Sequence, residues 1–197
     1  MTAFVHAFYA WPRAVASVLV TPPAAEPLTL AEAKLAAGLD WPEGDPRDKQ
    51  MQGFIAAARQ KVEQDTGLAL LQQTRELTMT AGSSSLMPLP WQALPLQSIT
   101  DPFGQRLTKE DVLIDRRLNV LRLPYSYSGE GTWTIVSGWP TPEALLQEAP
   151  LLWQAVALLT AHYATLGRDL AISGTIVAEV PMGYDDSIAP FRLMWVI

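Results

Sequence analysis

The 197-residue chain has no cysteine, which excludes disulfide scaffolds, thiolate zinc sites, iron–sulfur clusters and cysteine nucleophiles together. Charge is scarce too. Asp, Glu, Lys and Arg make up 17% of the residues and apolar types 49%, a balance that argues against intrinsic disorder. The 14 basic residues are outnumbered by 20 acidic ones, for a net charge of −6. A general nucleic-acid coat needs clustered lysine and arginine and does not fit that balance. What the chain has in quantity is proline, with 16, and tryptophan, with 7. A lone soluble monomer covers its surface with more charge than this. Either much surface is hidden in partners or the chain meets a membrane. The length suits one ordinary domain, or a small domain carrying an insertion.

Two segments bear on the membrane alternative. Residues 1–25 hold one charge, Arg13, but Trp11-Pro12 interrupts the start and the apolar run Ala14–Val20 closes at Pro22-Pro23. A cleaved signal needs a basic stretch before a longer apolar core, so none is expected. Ala149–Gly167 is free of charge, yet Gln154, Thr160, His162 and Thr165 make it too polar for a typical span. The expectation is a buried or interface helix and no membrane.

Residues 1–27, with Pro12, Pro22, Pro23 and Pro27 and no helical period, read as an extended N-terminal arm. Thr29-Leu-Ala-Glu32 fits a capping box opening a helix that stops at Gly38. Asp45-Pro46 starts a second helix, whose stripe is Met51, Phe54, Ile55, Ala58 and Val62 and whose stop is Gly67. From Leu71 the period becomes two, as in a half-buried strand. Strand-like pieces follow at Leu96–Thr100, Val112–Ile114, Leu118–Leu123 and Thr132–Ser137. Turns are expected at Asp101–Gly104, Asp115–Arg117 and Ser128–Gly131. A third helical region starts at Pro142-Glu143, restarts at Pro150 and ends at Gly167-Arg168. Its face of Leu152, Ala155, Val156, Leu159 and His162 is apolar, as is the opposite face of Trp153, Ala157, Thr160 and Ala164, so it is buried on both sides. One of those sides is open to a neighbouring subunit.

The order helix, helix, strands, helix gives an α+β fold, a small helical bundle with an inserted β-rich subdomain. The divisions are the arm at 1–27, the first part of the helical framework at 28–70, the β-rich insertion at 71–140, the long helix at 141–178 and a C-terminal docking segment at 179–197. Charge divides unevenly across them. Residues 1–122 are near balance, whereas residues 123–197 carry Arg168 and Arg192 against seven acids. That tail of acidity is either a solvated face or a surface that mates with a basic partner or repels phosphates.

Catalytic and ligand-binding constellations are not found. His162 lies on the apolar stripe of the long helix, and Asp169 and Ser173 are too far along it to form a triad with it. There is no Gly-x-Ser-x-Gly, no His-Glu-x-x-His and no calcium-loop spacing around Asp185-Asp186. Gly129-Glu-Gly131 is a lone glycine pair outside any strand–helix unit. Arg106, Lys109, Arg116, Arg117 and Arg122 form the nearest thing to a phosphate-facing patch, but Glu110, Asp111 and Asp115 interleave with them. No catalytic residue, metal or cofactor is expected, and the chain does not read as an enzyme.

Three sets of residues together resemble a known family. Leu28-Thr-Leu-Ala-Glu-Ala-Lys34 is similar to the opening of the head–tail connector (adaptor) proteins of tailed bacteriophages and gene transfer agents. The stretch from Phe54 through Glu63-Gln-Asp-Thr-Gly67 resembles their second helix, alanine-rich and closing in Glu-x-x-Thr-Gly. Ser137-Gly-Trp-Pro140, Ala155–Tyr163, Val180-Pro-Met-Gly183 and Ala189-Pro-Phe-Arg192 resemble their C-terminal half. The resemblance covers about residues 18–195. It departs from the family in the length of the N-terminal lead and in Ala36-Ala-Gly-Leu39, where a longer first helix would be usual.

That resemblance implies a structural role: a ring, normally of twelve copies, between the portal protein and the stopper, head-completion or tail protein. DNA would pass through its channel without sequence-specific binding. The place is the neck of a virion or phage-like particle, assembled in the bacterial cytoplasm. On this reading the C-terminal segment docks on the portal or another partner through Pro181, Phe191, Arg192, Leu193, Met194 and Trp195. Phe54, Ala57, Trp153, Ala157 and Thr160 pack between subunits. The alternatives are a different head-completion or tail-end protein, or a secreted or periplasmic binding module or enzyme with a tryptophan-lined cleft.

Overall fold

A computed structural model describes residues 13–89, 92–115, 120–173 and 183–192. They form two compact units, one built from residues 13–22 and 73–137, the other from residues 23–72 and 138–192. The α+β class read from the sequence holds, with helices and strands segregated along the chain.

The second unit is helical. Its elements are α1 (Leu30–Ala36), α2 (Arg47–Thr66), α3 (Pro142–Glu148), α4 (Pro150–Ser173) and α5 (Tyr184–Ile188), followed by a 3-10 turn at Ala189–Phe191. The capping box forms as expected: the Glu32 amide donates to Thr29 Oγ1 at 3.2 Å and the Thr29 amide to Glu32 Oε2 at 2.7 Å. Met51, Ile55, Ala58 and Val62 are buried along α2, and Phe54, at the edge of that stripe, is half-buried. Helix α4 does not stop at Gly167 but continues to Ser173. A single helical glycine costs only about 1 kcal/mol, so Gly167 is carried within the helix rather than ending it. Both faces of α4 are buried within this unit, which packs α1, α2, α3 and α5 around it.

The Glu-x-x-Thr-Gly ending of α2 has a physical explanation. Gly67 takes φ 74° and its amide donates to Glu63 O at 2.9 Å, closing the helix. Thr66 Oγ1 donates to Val62 O at 2.7 Å and accepts from the Leu68 amide at 3.3 Å. Glu63, buried, accepts from the Leu70 amide at 3.0 Å and from Arg59 at 2.9 Å. Arg59 also reaches Glu26 at 2.8 Å. Burial pushes the Glu63 carboxyl above its usual range, against the pull of Arg59 and the Leu70 amide. Burial also disfavours the Arg59 charge, but Glu26 and Glu63 together outweigh it and keep the guanidinium firmly protonated.

The first unit is an antiparallel sheet. Its strands are β1 (Arg13–Thr21), β2 (Gln73–Pro88), β3 (Leu96–Thr100), β4 (Arg106–Thr108), β5 (Leu113–Asp115) and β6 (Val120–Ser137), in the order β1-β2-β6-β3-β4, with β5 also on β6. Leu77 and Met79 point into its core while Glu76 and Thr80 point out, the period-two pattern expected from Leu71 onward. Trp133 is fully buried there, with Tyr127 edge-on at 5.1 Å.

Three sequence expectations change in this unit. Residues 13–21, read as part of the arm, form β1 and pair with β2 from Arg13↔Thr80 to Thr21↔Thr74. The β-branched Val15, Val18, Val20 and Thr21 suit a pleated surface. Arg106–Thr108, read as loop, is β4, with Leu107 buried between two exposed neighbours. Ser128–Gly131, read as a turn, lies inside β6: Gly129 pairs with Ala81 and Gly131 with Met79. There Gly82 and Ser83 on β2 oppose the lone Ser128, so the glycines mark a bulge and bend rather than a reversal. Gly131 is required, because a Cβ would come within 2.3 Å of Tyr127 Oη and 2.5 Å of Pro102 Cγ.

The insertion leaves and re-enters the helical unit at one point. Leu71 bridges Trp139 in parallel, and the Gln72 amide donates to Trp139 O at 2.8 Å. Gly138 takes φ 99°, and a Cβ on it would lie 2.1 Å from Leu71 O. This backbone-on-backbone approach is the physical content of Ser137-Gly-Trp-Pro140. Trp139 Nε1 then donates to Glu148 Oε2 at 3.0 Å, fixing the path into α3.

Two measurements follow from these glycine and carboxylate sites. In urea titrations Gly138→Ala should lose roughly 2–4 kcal/mol, through positive φ and a clash with backbone. Gly53→Ala, with no atom within 4 Å of the new Cβ in α2, should gain about 0.5–1 kcal/mol. Glu63→Ala should lose about 3–5 kcal/mol, because it removes one partner of a buried pair. Glu63→Gln, which keeps an acceptor for the Leu70 amide, should lose clearly less. Equal losses from the Ala and Gln variants would assign the effect to the charge alone.

Candidate assembly surfaces

A cavity of about 310 Å³ opens in the helical unit between the α1–α2 loop, α2 and α4. Met51, Phe54 and Ala164 form its apolar wall, and Leu39, Trp41 and Arg47 form its mouth. The mouth is held by Asp48, which accepts from Trp41 Nε1 at 2.7 Å and the Gly44 amide at 2.8 Å and pairs with Lys34 at 2.7 Å. The bonds from Lys34 and then Trp41 hold the Asp48 carboxyl below its usual range. Arg47 lies 4.5 Å from the Trp41 ring centroid and pairs with Asp45 at 2.7 Å. Among the described residues no three His, Cys, Asp or Glu side chains converge as metal ligands would.

The residues expected between subunits occupy different situations. Phe54 is half-buried in the cavity wall and Ala57 is exposed on α2. Trp153 is half-buried, with Nε1 donating to Pro27 O at 3.0 Å. Ala157 is 8% exposed and Thr160 is fully buried, its hydroxyl donating to Val156 O at 2.8 Å. Those last two are covered by their own unit, so the second apolar face of the long helix is satisfied within the chain. Of the expected docking residues, Phe191 is half-buried at the end of the 3-10 turn, and Arg192 is exposed and paired with Asp185 at 2.5 Å. Upstream of them, Tyr184 donates its hydroxyl to Asp65 at 2.7 Å, and burial pushes that phenol well above its usual range. Pro181, Leu193, Met194 and Trp195 lie outside the described residues.

Other candidates read from the sequence lie on several elements. His162 is half-buried beside Tyr163, ring centroids 6.1 Å apart. Arg106, Lys109 and Arg122 are exposed, Arg106 on β4 and Arg122 on β6 opposite Leu113; Arg116 and Arg117 lie outside the described residues. The tryptophans form no common cleft among the described residues: Trp133 and Trp139 are buried, and Trp41 alone reaches the cavity.

Two exposed apolar features were not read from the sequence. Phe103 is 82% exposed at the tip of a rigid turn. Asp101 Oδ1 accepts from the Phe103 and Gln105 amides at 2.9 and 2.7 Å, Tyr125 donates to Asp101 Oδ2 at 2.8 Å, and Gly104 takes φ 87°. On β1, Val18, Leu19 and Val20 are 57%, 41% and 51% exposed. The run without charge from Ala14 to Thr21 was the available signal, but composition does not say whether an apolar strand is covered. No single described helix is long and apolar enough to cross a membrane.

Comparison with known proteins supplies context for these surfaces. No family model matches the chain, and no curated protein matches it significantly. Solved structures do. A chain in the neck of an empty gene transfer agent particle, computed with C6 symmetry, is 22% identical with TM-score 0.63, over 92% of this chain and 97% of that one. A chain from the virion of a native gene transfer agent particle is 19% identical with TM-score 0.62, over 92% and 97%. A third, from the neck of the native particle computed with C12 symmetry, is 18% identical with TM-score 0.57, over 91% and 97%. At these identities the likeness is one of fold, and it extends over nearly the whole of both chains, in agreement with the head–tail connector resemblance carried by the sequence motifs.

Proposed function

We propose that the chain is a structural subunit of the neck of a phage or phage-like particle: a head–tail connector that forms a ring, of twelve copies, between the portal and the stopper or tail. The observation that carries this reading is the whole-chain likeness to chains in gene transfer agent necks, reaching 97% of their length. A likeness confined to the helices would fit many bundles; here the helical framework and the β-rich insertion are matched together. The Glu63–Gly67 helix ending and the Gly138 crossing are where the family-like motifs fall, and both shape the path of the chain rather than any chemistry.

In the assembled ring, neighbouring copies pack across the exposed Ala57 of α2 and the half-buried Phe54 and Trp153, whereas Ala157 and Thr160 are covered within the chain. The C-terminal segment, with Pro181, Phe191, Arg192, Leu193, Met194 and Trp195, docks on the portal, aromatic and arginine anchors being the residues that dominate interfaces. DNA slides through the channel because the chain carries net negative charge, so few cations are offered to the phosphates. Assembly takes place in the bacterial cytoplasm and the protein ends up in the particle neck.

Co-sedimentation with purified portal and imaging of the capsid vertex test this reading. Full-length protein should pellet with portal and appear as a twelve-copy ring beneath it, and protein lacking residues 185–197 should lose portal binding while keeping its far-UV circular dichroism. Unchanged portal binding by the truncated protein would overturn the docking assignment. Absence of the full-length chain from the vertex would overturn the connector role itself.

A further inference from the structure

Strand β1 departs from the way sheet edges are ordinarily protected. Edge strands are kept short, charged, interrupted by proline or covered, because open edges recruit other chains. The opposite end of this sheet follows that rule: β4 has three residues, begins with Arg106 and leads into Lys109-Glu110-Asp111. Strand β1 does not. It has nine residues, pairs among the described residues with β2 alone, and after Arg13 contains neither charge nor proline. Val18 and Val20 face one way and Leu19 the other, yet all three are exposed.

The sequence preceding β1 suggests the occupant. Met1–Pro12 carries no charge and includes Phe4, Val5, Phe8, Tyr9 and Trp11, a composition suited to a strand with a dry face. Folding back along its own β1 would need a tight reversal just before Arg13. Two-residue hairpins rely on Gly, Asn or Asp for positive φ, and residues 1–21 contain none of the three. Trp11 precedes a proline and is therefore biased toward extended backbone. Nothing in the composition of this stretch therefore favours a return along its own β1, and twelve residues, if extended, span about 40 Å, far enough to meet an adjacent copy.

We propose that residues 1–12 of each subunit lie along β1 of the next, adding a strand to its sheet and covering Val18, Leu19 and Val20. The proposal rests on the ring reading above and deepens it, naming one of the contacts that closes the ring. The donor and acceptor surfaces differ, so the contact is head-to-tail, the type that generates rings rather than isolated pairs. Backbone hydrogen bonds supply the affinity and the alternating valines and leucine the register, as in other strand additions.

Hydrogen–deuterium exchange of the peptide spanning residues 13–21 tests the proposal, comparing the isolated subunit with the particle neck. Exchange of this peptide should slow by about tenfold or more on assembly, and only when residues 2–12 are present. Equal protection in the isolated subunit would show that the segment covers its own β1, and would overturn the proposal. Protection on assembly that survives deletion of residues 2–12 would mean that another protein covers the strand, and would overturn it equally. If the deleted protein is excluded from necks, the Val18→Asp/Val20→Asp variant must be excluded too while keeping wild-type exchange in α2 and α4; its normal incorporation would overturn the proposal. Wild-type protein absent from the neck would instead overturn the connector reading, and this inference with it.

Discussion

The buried carboxylate of Glu63 is the constraint on which the helical unit depends. Through Arg59 it is coupled to Glu26 in the segment that enters the unit, and through the Leu70 amide to the segment that leaves it. An apolar residue there would avoid the desolvation cost and could be equally stable. It would not choose one direction for the chain after Gly67. With that direction set, Leu71 and Gln72 meet Trp139 side by side, and Gly138 passes close enough to the Leu71 carbonyl that a side chain cannot be accommodated. A long insertion can then be accommodated because its two ends are adjacent and hydrogen-bonded. The β-rich unit needs only its own core, centred on Trp133, to fold between them.

What was legible in the sequence was local. The Thr29–Glu32 box, the Met51–Val62 stripe and the Gly67 stop are each decided by residues within a turn or two of one another, and all three form as read. What was not legible depended on partners distant in sequence. A Gly-x-Gly in a strand-like stretch can reverse the chain or bend it, and the choice at Gly129–Gly131 is made by β2, which pairs with β6 on both sides of it. Gly167 reads as a stop in isolation but is carried through in α4. Periodicity states that both faces of the long helix are buried, and they are. It does not state by what, and for Ala157 and Thr160 the answer is the same chain. The candidate surfaces divide in the same way: Phe54 and Ala57 remain at or near the surface, whereas the Asp48-held cavity mouth and the Phe103 turn needed three-dimensional neighbours to be seen.

The low charge of the chain can now be assigned to places. Two of the seven tryptophans, Trp133 and Trp139, are internal and need no partner. The exposed charge-poor surface is narrower. It is concentrated on β1, where Val18, Leu19 and Val20 stand on an uncharged strand, and on single projecting side chains such as Phe103. Such a surface is a liability in a protein that stays monomeric, since an apolar strand edge invites indiscriminate pairing. In a subunit of a closed ring it is an advantage, because head-to-tail contacts around a circle leave no edge unfilled. In the ring proposed above, closure would reconcile the two halves of the composition. In that ring charge would be kept where water meets the subunit, and would be missing where the next subunit does.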